Sequence, residues 1–120
     1  MPYVDGFVTA VPDGNRDKYL DFTRRAWTLF RDLGAIDTWE NWGDDVPDGK
    51  LTDFRRAVQA QPGETVVFSW ITWPDKTIRD KAMEKMMNAE TAARLGQMPF
   101  DGKRMIYGGF DTIFSTGGRS

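Results

Sequence analysis

Two acidic residues interrupt segments in which apolar side chains otherwise recur. Asp5 lies beside Tyr3 and Phe7 in one predicted strand, and Glu40 lies beside Trp42 in another. A carboxyl group enclosed by apolar side chains has a raised pKa and can act as a general acid or base. The same pattern also fits a solvated strand residue or a carboxylate paired with an arginine. The sequence leaves these alternatives open.

Three residues near the C-terminus offer groups that stabilise negative charge. Tyr107 carries a phenol that can donate to an oxyanion or an enolate. Arg104, which follows Lys103, carries the guanidinium fork that binds carboxylate or phosphate in a bidentate manner. The structural alternatives are a core tyrosine with a satisfied hydroxyl, an arginine paired with a structural carboxylate, and a turn around residues 101–103.

Large aromatic side chains are candidates for the wall of a ligand pocket. We select Trp42, Phe68 and Trp70, and together with Lys103 and Arg104 they form the predicted ligand-binding set. Packing in a core or in a subunit interface is the alternative role for these rings.

The composition excludes several kinds of chemistry. The 120 residues include neither histidine nor cysteine, so a histidine-based triad, a thiolate nucleophile and a zinc site of nitrogen and sulfur ligands are all ruled out. Dinucleotide, phosphate-loop and EF-hand motifs are absent from the sequence. Asp44, Asp45 and Asp48 form a weak candidate for a hard cation. We therefore expect no metal and no cofactor.

The charge and hydropathy of the chain indicate which partners and which cellular location to expect. Sixteen basic and eighteen acidic residues give a formal charge of -2, which disfavours nucleic acid as a partner. The longest apolar runs are far shorter than the roughly 20 residues of a membrane span, and the chain does not open on a signal-like segment. We expect a cytoplasmic protein with no membrane partner.

Periodicity predicts the elements that position the candidate residues. Period-two patterns predict strands at 3–11, 36–43, 65–73 and 104–114, the last containing a bulge or a close backbone approach at its Gly-Gly pair. Spacings of three and four predict helices at 16–33 and from 75 to about 88, with a further turn at 90–95. Residues 52–60 fit both a strand and a short helix capped by Thr52, and we favour the helix.

The order of these elements predicts an α+β fold. It corresponds to a ferredoxin-like βαββαβ antiparallel sheet with two helices on one face, formed as a single domain by residues 1–114 and followed by a flexible tail at 115–120. Phe68 and Trp70 alternate with Val67 and Ile71, so both sheet faces are apolar. Because soluble proteins rarely expose such a face, we expect a homodimer that closes sheet against sheet, over a cavity or a packed core.

Four blocks of sequence resemble a known family, the YbaA-like proteins, which are small bacterial proteins of unknown function placed among the dimeric α+β barrels. The blocks are YVDGF at 3–7, VPDGKLTDFR at 46–55, VVFSWI at 66–71 and MPFDGKRMIYGGF at 98–110. The resemblance implies the fold and a dimer, and it implies no activity. Other proteins of this architecture include cofactor-independent monooxygenases and isomerases, but a shared fold is weak support for a shared function.

Three functional interpretations follow from these observations. The one we favour is a homodimer that binds a small apolar or anionic molecule between its subunits. The alternatives are a cofactor-independent enzyme, monooxygenase- or isomerase-like, that uses a carboxylate base, and a protein–protein interaction module.

Overall fold

Within residues 2–117, the part of the chain that this computed structural model describes, four strands pair in one antiparallel sheet. They are β1 (Tyr3–Pro12), β2 (Asp37–Trp42), β3 (Glu64–Trp73) and β4 (Ile106–Asp111). The order across the sheet is β2-β3-β1-β4, so β1 and β3 are central and β2 and β4 form the edges. The α+β fold predicted from the element order is confirmed at this level.

The helices alternate with the strands along the chain. A single turn of 3-10 helix (Asp13–Asn15) leads into α1, and the helices are α1 (Arg16–Asp32), α2 (Phe54–Ala57), α3 (Lys76–Met86) and α4 (Ala89–Leu95). No helix among residues 2–117 combines the length and the apolarity needed to cross a bilayer.

The two central strands pair over their whole length, from Tyr3 opposite Trp73 to Pro12 opposite Glu64. Both are rich in β-branched and aromatic residues, which suit a pleated and buried surface. Odd-numbered positions of both strands, such as Ile71 and Trp73, face α1 and α3, where they pack with Phe30 among others. Most of the hydrophobic core therefore lies on this helical face of the sheet, as expected from the predicted helices and strands.

Helix α1 follows the predicted apolar stripe closely. Tyr19, Ala26 and Leu29 are its buried residues, at the spacings of three and seven that place side chains on one helical face. The helix ends before Gly34, whose φ of 110° lies in the region that favours glycine. A side chain there would also collide with Ile78 of α3, so this glycine permits the close approach of the two helices.

The ambiguous segment at 52–60 contains the short helix that we favoured, at Phe54–Ala57, but its N-cap is Asp53 and not Thr52. The Asp53 carboxylate accepts a hydrogen bond from the Arg56 backbone N–H at 2.7 Å. Helix α2 lies on the face of the sheet opposite α1 and α3, and the residue after it, Val58, packs against Val8 and Val66. One end of that second face is therefore covered.

The predicted last strand, 104–114, is too long at both ends. Pairing with β1 begins at Val8 opposite Ile106 and ends at Tyr3 opposite Asp111, because β1 itself begins at Tyr3. The Gly-Gly pair forms no bulge but allows a close approach, since a side chain at Gly109 would overlap the Tyr3 hydroxyl. Of the predicted tail, residues 118–120 lie outside the described part of the chain.

The rest of the second face is apolar and exposed, as the sequence predicts. Trp39, which is 56% exposed, stacks on Trp70 with ring centroids 6.0 Å apart. Phe68 and Phe110 are 45% and 61% exposed on the same face. This apolar outer face, defined by Trp39, Phe68, Trp70, Ile106 and Phe110, is separate from the helical face of the sheet.

Candidate functional site

A cavity of about 150 Å³ lies between the helical face of the sheet and α1. Its walls come from α1, from α4 and from the connection between α4 and β4. Most of the wall is aromatic or aliphatic: Phe22, Ala26, Trp27, Phe30, Leu95, Met98, Phe100 and Met105. This arrangement is typical of ligand pockets, which are mainly apolar and hold a few polar groups.

The floor of the cavity carries polar side chains from three adjacent strands. Ser69 of β3 lies directly opposite Glu40 of β2, and Thr9 of β1 lies nearby on the same face. Thr9 and Ser69 are 2% and 3% exposed. Strand alternation places them there, because each lies two residues from core-facing neighbours such as Val11 and Ile71.

Tyr19 reaches from α1 to the same floor and donates a hydrogen bond to Glu40 Oε1 at 2.5 Å. Burial, and secondarily the charge of Glu40, raises the pKa of the Tyr19 hydroxyl far above its usual range. The phenol therefore stays protonated at neutral pH and acts as a hydrogen-bond donor there.

Glu40 itself has a raised pKa because protein atoms surround its carboxyl group. The hydroxyls of Tyr19 and Ser69 act in the opposite direction and offset part of that rise. Glu40 lies on an edge strand beside an open cavity, so much of the residue is accessible to solvent. The apolar walls around its carboxyl group nevertheless disfavour the charged form. A role for Glu40 as a general acid or base stays a prediction.

Thr9 is the unusual member of the floor. Its Oγ1 atom is buried and has no hydrogen-bond partner among residues 2–117. Buried polar atoms nearly always have a partner, and an unsatisfied one costs about 1–3 kcal/mol. Because Thr9 also lines the apolar cavity, a rotation of its side chain would bring this unsatisfied hydroxyl to a polar group of a ligand.

The other candidate base, Asp5, occupies a different environment. It is 4% exposed, and Arg79 of α3 pairs with it at 2.8 Å through Nη2. The indole N–H of Trp73 donates to its Oδ2 at 2.9 Å. Both carboxylate oxygens thus accept hydrogen bonds from structural donors, which matches the ion-pair alternative considered for this residue.

Arg104 is likewise engaged by neighbouring groups. Its Nη1 and Nη2 atoms each donate to the Glu64 carboxylate at 2.7 Å, and its Nε donates to Asp101 at 3.1 Å. Hydrogen bonding by Arg104 lowers the pKa of Glu64 to about 2. Lys103 is exposed beside this network, with its backbone N–H bonded to Asp101. This geometry matches the structural-carboxylate alternative for Arg104.

The remaining candidates do not converge on one site. Tyr107 is 74% exposed on β4, at the opposite edge of the sheet from Glu40, which is three strand spacings or about 14 Å away. Trp42 lies on the helical face, where the Arg16 guanidinium stacks 5.4 Å from its ring centroid. Phe68 and Trp70 lie on the outer face. The predicted aromatic set is thus divided between the two faces.

Three residues of the floor, Thr9, Tyr19 and Ser69, were not predicted from the sequence as site residues. A signal was available for two of them, since Thr9 and Ser69 are polar residues in phase with the core-facing positions of the two most apolar strands. Tyr19 was recognised only as part of the buried stripe of α1.

Two features of the site, its carboxylates and its volume, concern what it can hold. Within the described residues, no three carboxylates lie close enough together to hold a metal ion. The cavity volume of about 150 Å³ suits one aromatic ring.

Comparisons with known proteins agree with the predicted resemblance. A family described as protein of unknown function (DUF1428) matches residues 2–102. "Uncharacterized protein YbaA" of Escherichia coli K12 is 54% identical over 114 residues, which cover 94% of this chain and 97% of that protein. The protein of the same name from Shigella flexneri matches to the same extent.

A solved structure is similar at the level of the fold. The structure of Rv0793 from Mycobacterium tuberculosis superposes with a TM-score of 0.51 at 8% sequence identity, covering 97% of this chain and 99% of that chain. At this low identity the likeness supports the α+β fold and carries no functional information.

Proposed function

We propose that this chain, which belongs to the DUF1428 family of proteins of unknown function, binds a small apolar molecule in the cavity between its sheet and α1. The observation that carries the proposal is the Thr9 hydroxyl, a buried group that no residue of the 2–117 range satisfies, in the floor of an apolar cavity. A bound molecule with one polar atom would supply the missing partner.

The size of the cavity supports the same proposal. An engineered apolar cavity of about 150 Å³ in another protein stays dry and binds benzene. The cavity in this protein has a similar volume and mainly apolar walls above a polar floor, with Trp27 among its lining residues. A molecule the size of one substituted ring is therefore the natural occupant, and Trp27 provides a fluorescent reporter of its arrival.

The test is titration with toluene, followed by tryptophan fluorescence and calorimetry, on variants that fill the cavity. Ala26→Leu adds three carbon atoms to the lining, and Ala93→Leu makes the same change on the exposed surface of α4 as a control. We expect toluene to bind the parent protein and Ala93→Leu equally, and to bind Ala26→Leu at least about tenfold more weakly. Equal binding to all three would place the site elsewhere, and no binding to any would refute the proposal.

A second candidate function is acid–base catalysis without a cofactor, and the Glu40–Tyr19 pair favours it. Glu40 has a raised pKa, and a general base works best when its pKa approaches the operating pH. Tyr19 holds the carboxyl group in place through the 2.5 Å hydrogen bond. For any reaction found, Glu40→Gln should abolish turnover while leaving toluene binding intact, and retained turnover would exclude this role.

We further propose that two copies associate through the apolar outer face as a dimeric α+β barrel. The strand order β2-β3-β1-β4 is compatible with a ferredoxin-like βαββαβ arrangement, which leaves one sheet face free of the two long helices. Trp39, Phe68 and Phe110 expose large aromatic surfaces on that face. A patch of this kind on a soluble protein indicates an interface.

Light scattering coupled to size exclusion tests this association. Phe110→Lys places a charge in the outer face, and Met87→Lys places one at the end of α3, where the methionine is 86% exposed. We expect the parent and Met87→Lys to be dimers and Phe110→Lys to be a monomer. A monomeric parent protein, or a dimeric Phe110→Lys, would contradict the proposed interface.

A further inference from the structure

We infer that the cavity discriminates by charge: it accepts a neutral ring-sized molecule with one hydrogen-bonding oxygen, such as a phenol, and rejects an anion of the same size. This inference rests on the proposed function. The sequence predicts a ligand that is either apolar or anionic, and the inference restricts it to a neutral molecule. Glu40 and Thr9 are the two residues that would determine this preference.

The charge of the lining excludes anions. Of the residues in the 2–117 range that line the cavity, Glu40 is the one acidic residue and none is lysine or arginine. A bound carboxylate or phosphate would therefore find no counter-ion among these apolar walls, and the ionised form of Glu40 would repel it. The basic residues predicted to bind an anion are placed elsewhere, since Arg104 is paired with Glu64 outside this cavity.

The cavity floor favours a polar atom over a pure hydrocarbon. Thr9 Oγ1 can donate one hydrogen bond and accept up to two, and it meets no partner in the described part of the chain. A hydroxyl group on the ligand also donates and accepts, so it pairs with Thr9 in either orientation. Toluene would fill the same space but leave the Thr9 hydroxyl unsatisfied.

The walls favour a ring as the body of the ligand. Phe22, Trp27, Phe30 and Phe100 contribute aromatic surfaces around the cavity, and Phe22 meets Phe100 edge to face at 5.9 Å. Aromatic rings gain additional stabilisation from edge-to-face and offset-stacked contacts. Met98 and Met105, which complete the wall, are unbranched side chains that adapt to the outline of a ring.

The experiment compares three probes that share a methyl-substituted ring, toluene, p-cresol and p-toluate, by calorimetry at about pH 8. At that pH the cresol is neutral and the toluate is ionised. For the parent protein we expect p-cresol to bind about three- to tenfold more tightly than toluene, and p-toluate at least about tenfold more weakly than p-cresol. Thr9→Val should remove the preference for p-cresol over toluene while toluene binding is retained.

Glu40→Gln tests the charge directly, with Glu84→Gln on the exposed surface of α3 as the matched control. We expect the Glu40 variant to bind p-toluate at least about tenfold more tightly relative to p-cresol than the parent does, and the control to be unchanged. The inference would be overturned if the parent bound toluene and p-toluate equally well, or if Thr9→Val and Glu40→Gln both kept the parent's preferences among the three probes. Either result would leave the proposed function standing. Failure of all three probes to bind the parent would instead refute the proposed function.

Discussion

Replacement of Asp5 should destabilise the fold without affecting the cavity. Asp5→Ala would leave the Arg79 guanidinium, whose side chain is 22% exposed, without its main counter-charge, and would leave the buried Trp73 indole N–H without its acceptor. Asp5 contributes nothing to the lining of the cavity. The expected result is a large loss of unfolding free energy together with unchanged affinity for toluene.

The magnitude follows from the contacts. Removal of one partner of a buried ion pair costs about 3–5 kcal/mol. Asp80 lies 3.0 Å from Arg79 Nη1 and still offers that arginine a carboxylate, so we expect the lower end of the range, about 3 kcal/mol. Asp5→Asn keeps an acceptor for Trp73 but loses the charge, and should cost about 2 kcal/mol.

Urea unfolding, monitored by tryptophan fluorescence, measures these losses. The double variant Asp5→Ala/Arg79→Met removes both partners, so its loss should be clearly smaller than the sum of the two single losses. A loss below about 1 kcal/mol for Asp5→Ala, or strictly additive losses, would refute the structural role assigned to this pair. Weakened toluene binding by a stably folded Asp5→Asn protein would refute its separation from the cavity.

Three further predictions concern titration and backbone packing. Because burial raises the pKa of Glu40, its contribution to stability is present below the ordinary glutamate pKa and is lost as pH rises through the folded value. Glu40→Gln should remove that loss in urea titrations across this pH range. Glu64 behaves oppositely: its pKa of about 2 provides stability above the ordinary glutamate pKa that is lost as pH falls toward about 2, and Arg104→Met should abolish this acid dependence. Gly49→Ala should lower stability by about 1–3 kcal/mol in thermal unfolding, because the added Cβ would overlap a backbone carbonyl three residues further along. Gly14→Ala is the control, since its Cβ would meet open space among residues 2–117, and an equal loss there would contradict the steric explanation.

Local patterns were sufficient to predict most of the fold. The stripe of α1 and the alternation in β1 and β3 are properties of consecutive residues, and periodicity reports them directly. The ends of β4 depend instead on where its partner β1 begins. The side chain that anchors Arg104, Glu64, lies 40 residues earlier in the chain. The ends of β4 and the partner of Arg104 depend on contacts between distant parts of the chain, and these contacts cannot be read from neighbouring residues.

Some residues of the candidate site are likewise predictable from local sequence, and others depend on distant contacts. Glu40 was identified because a carboxylate in an apolar strand is visible locally, and its raised pKa follows from that placement. Its partner Tyr19 lies 21 residues away on a helix, where helical spacing indicates burial but not a hydrogen-bond partner. Trp42 was grouped with Phe68 because both are large aromatics, and only the β2–β3 register assigns them to different faces.

The most direct test of the central claim is to map where a ring-sized ligand binds, by amide NMR during titration with p-cresol. Binding in the cavity predicts large chemical-shift changes on Ala26 and Trp27 of the α1 wall as well as on Thr9 of the floor, with the signal of Phe110 on the outer face unchanged. Changes on Phe110 with the signals of Ala26 and Trp27 unchanged would place the ligand on the outer face and would contradict binding in the cavity.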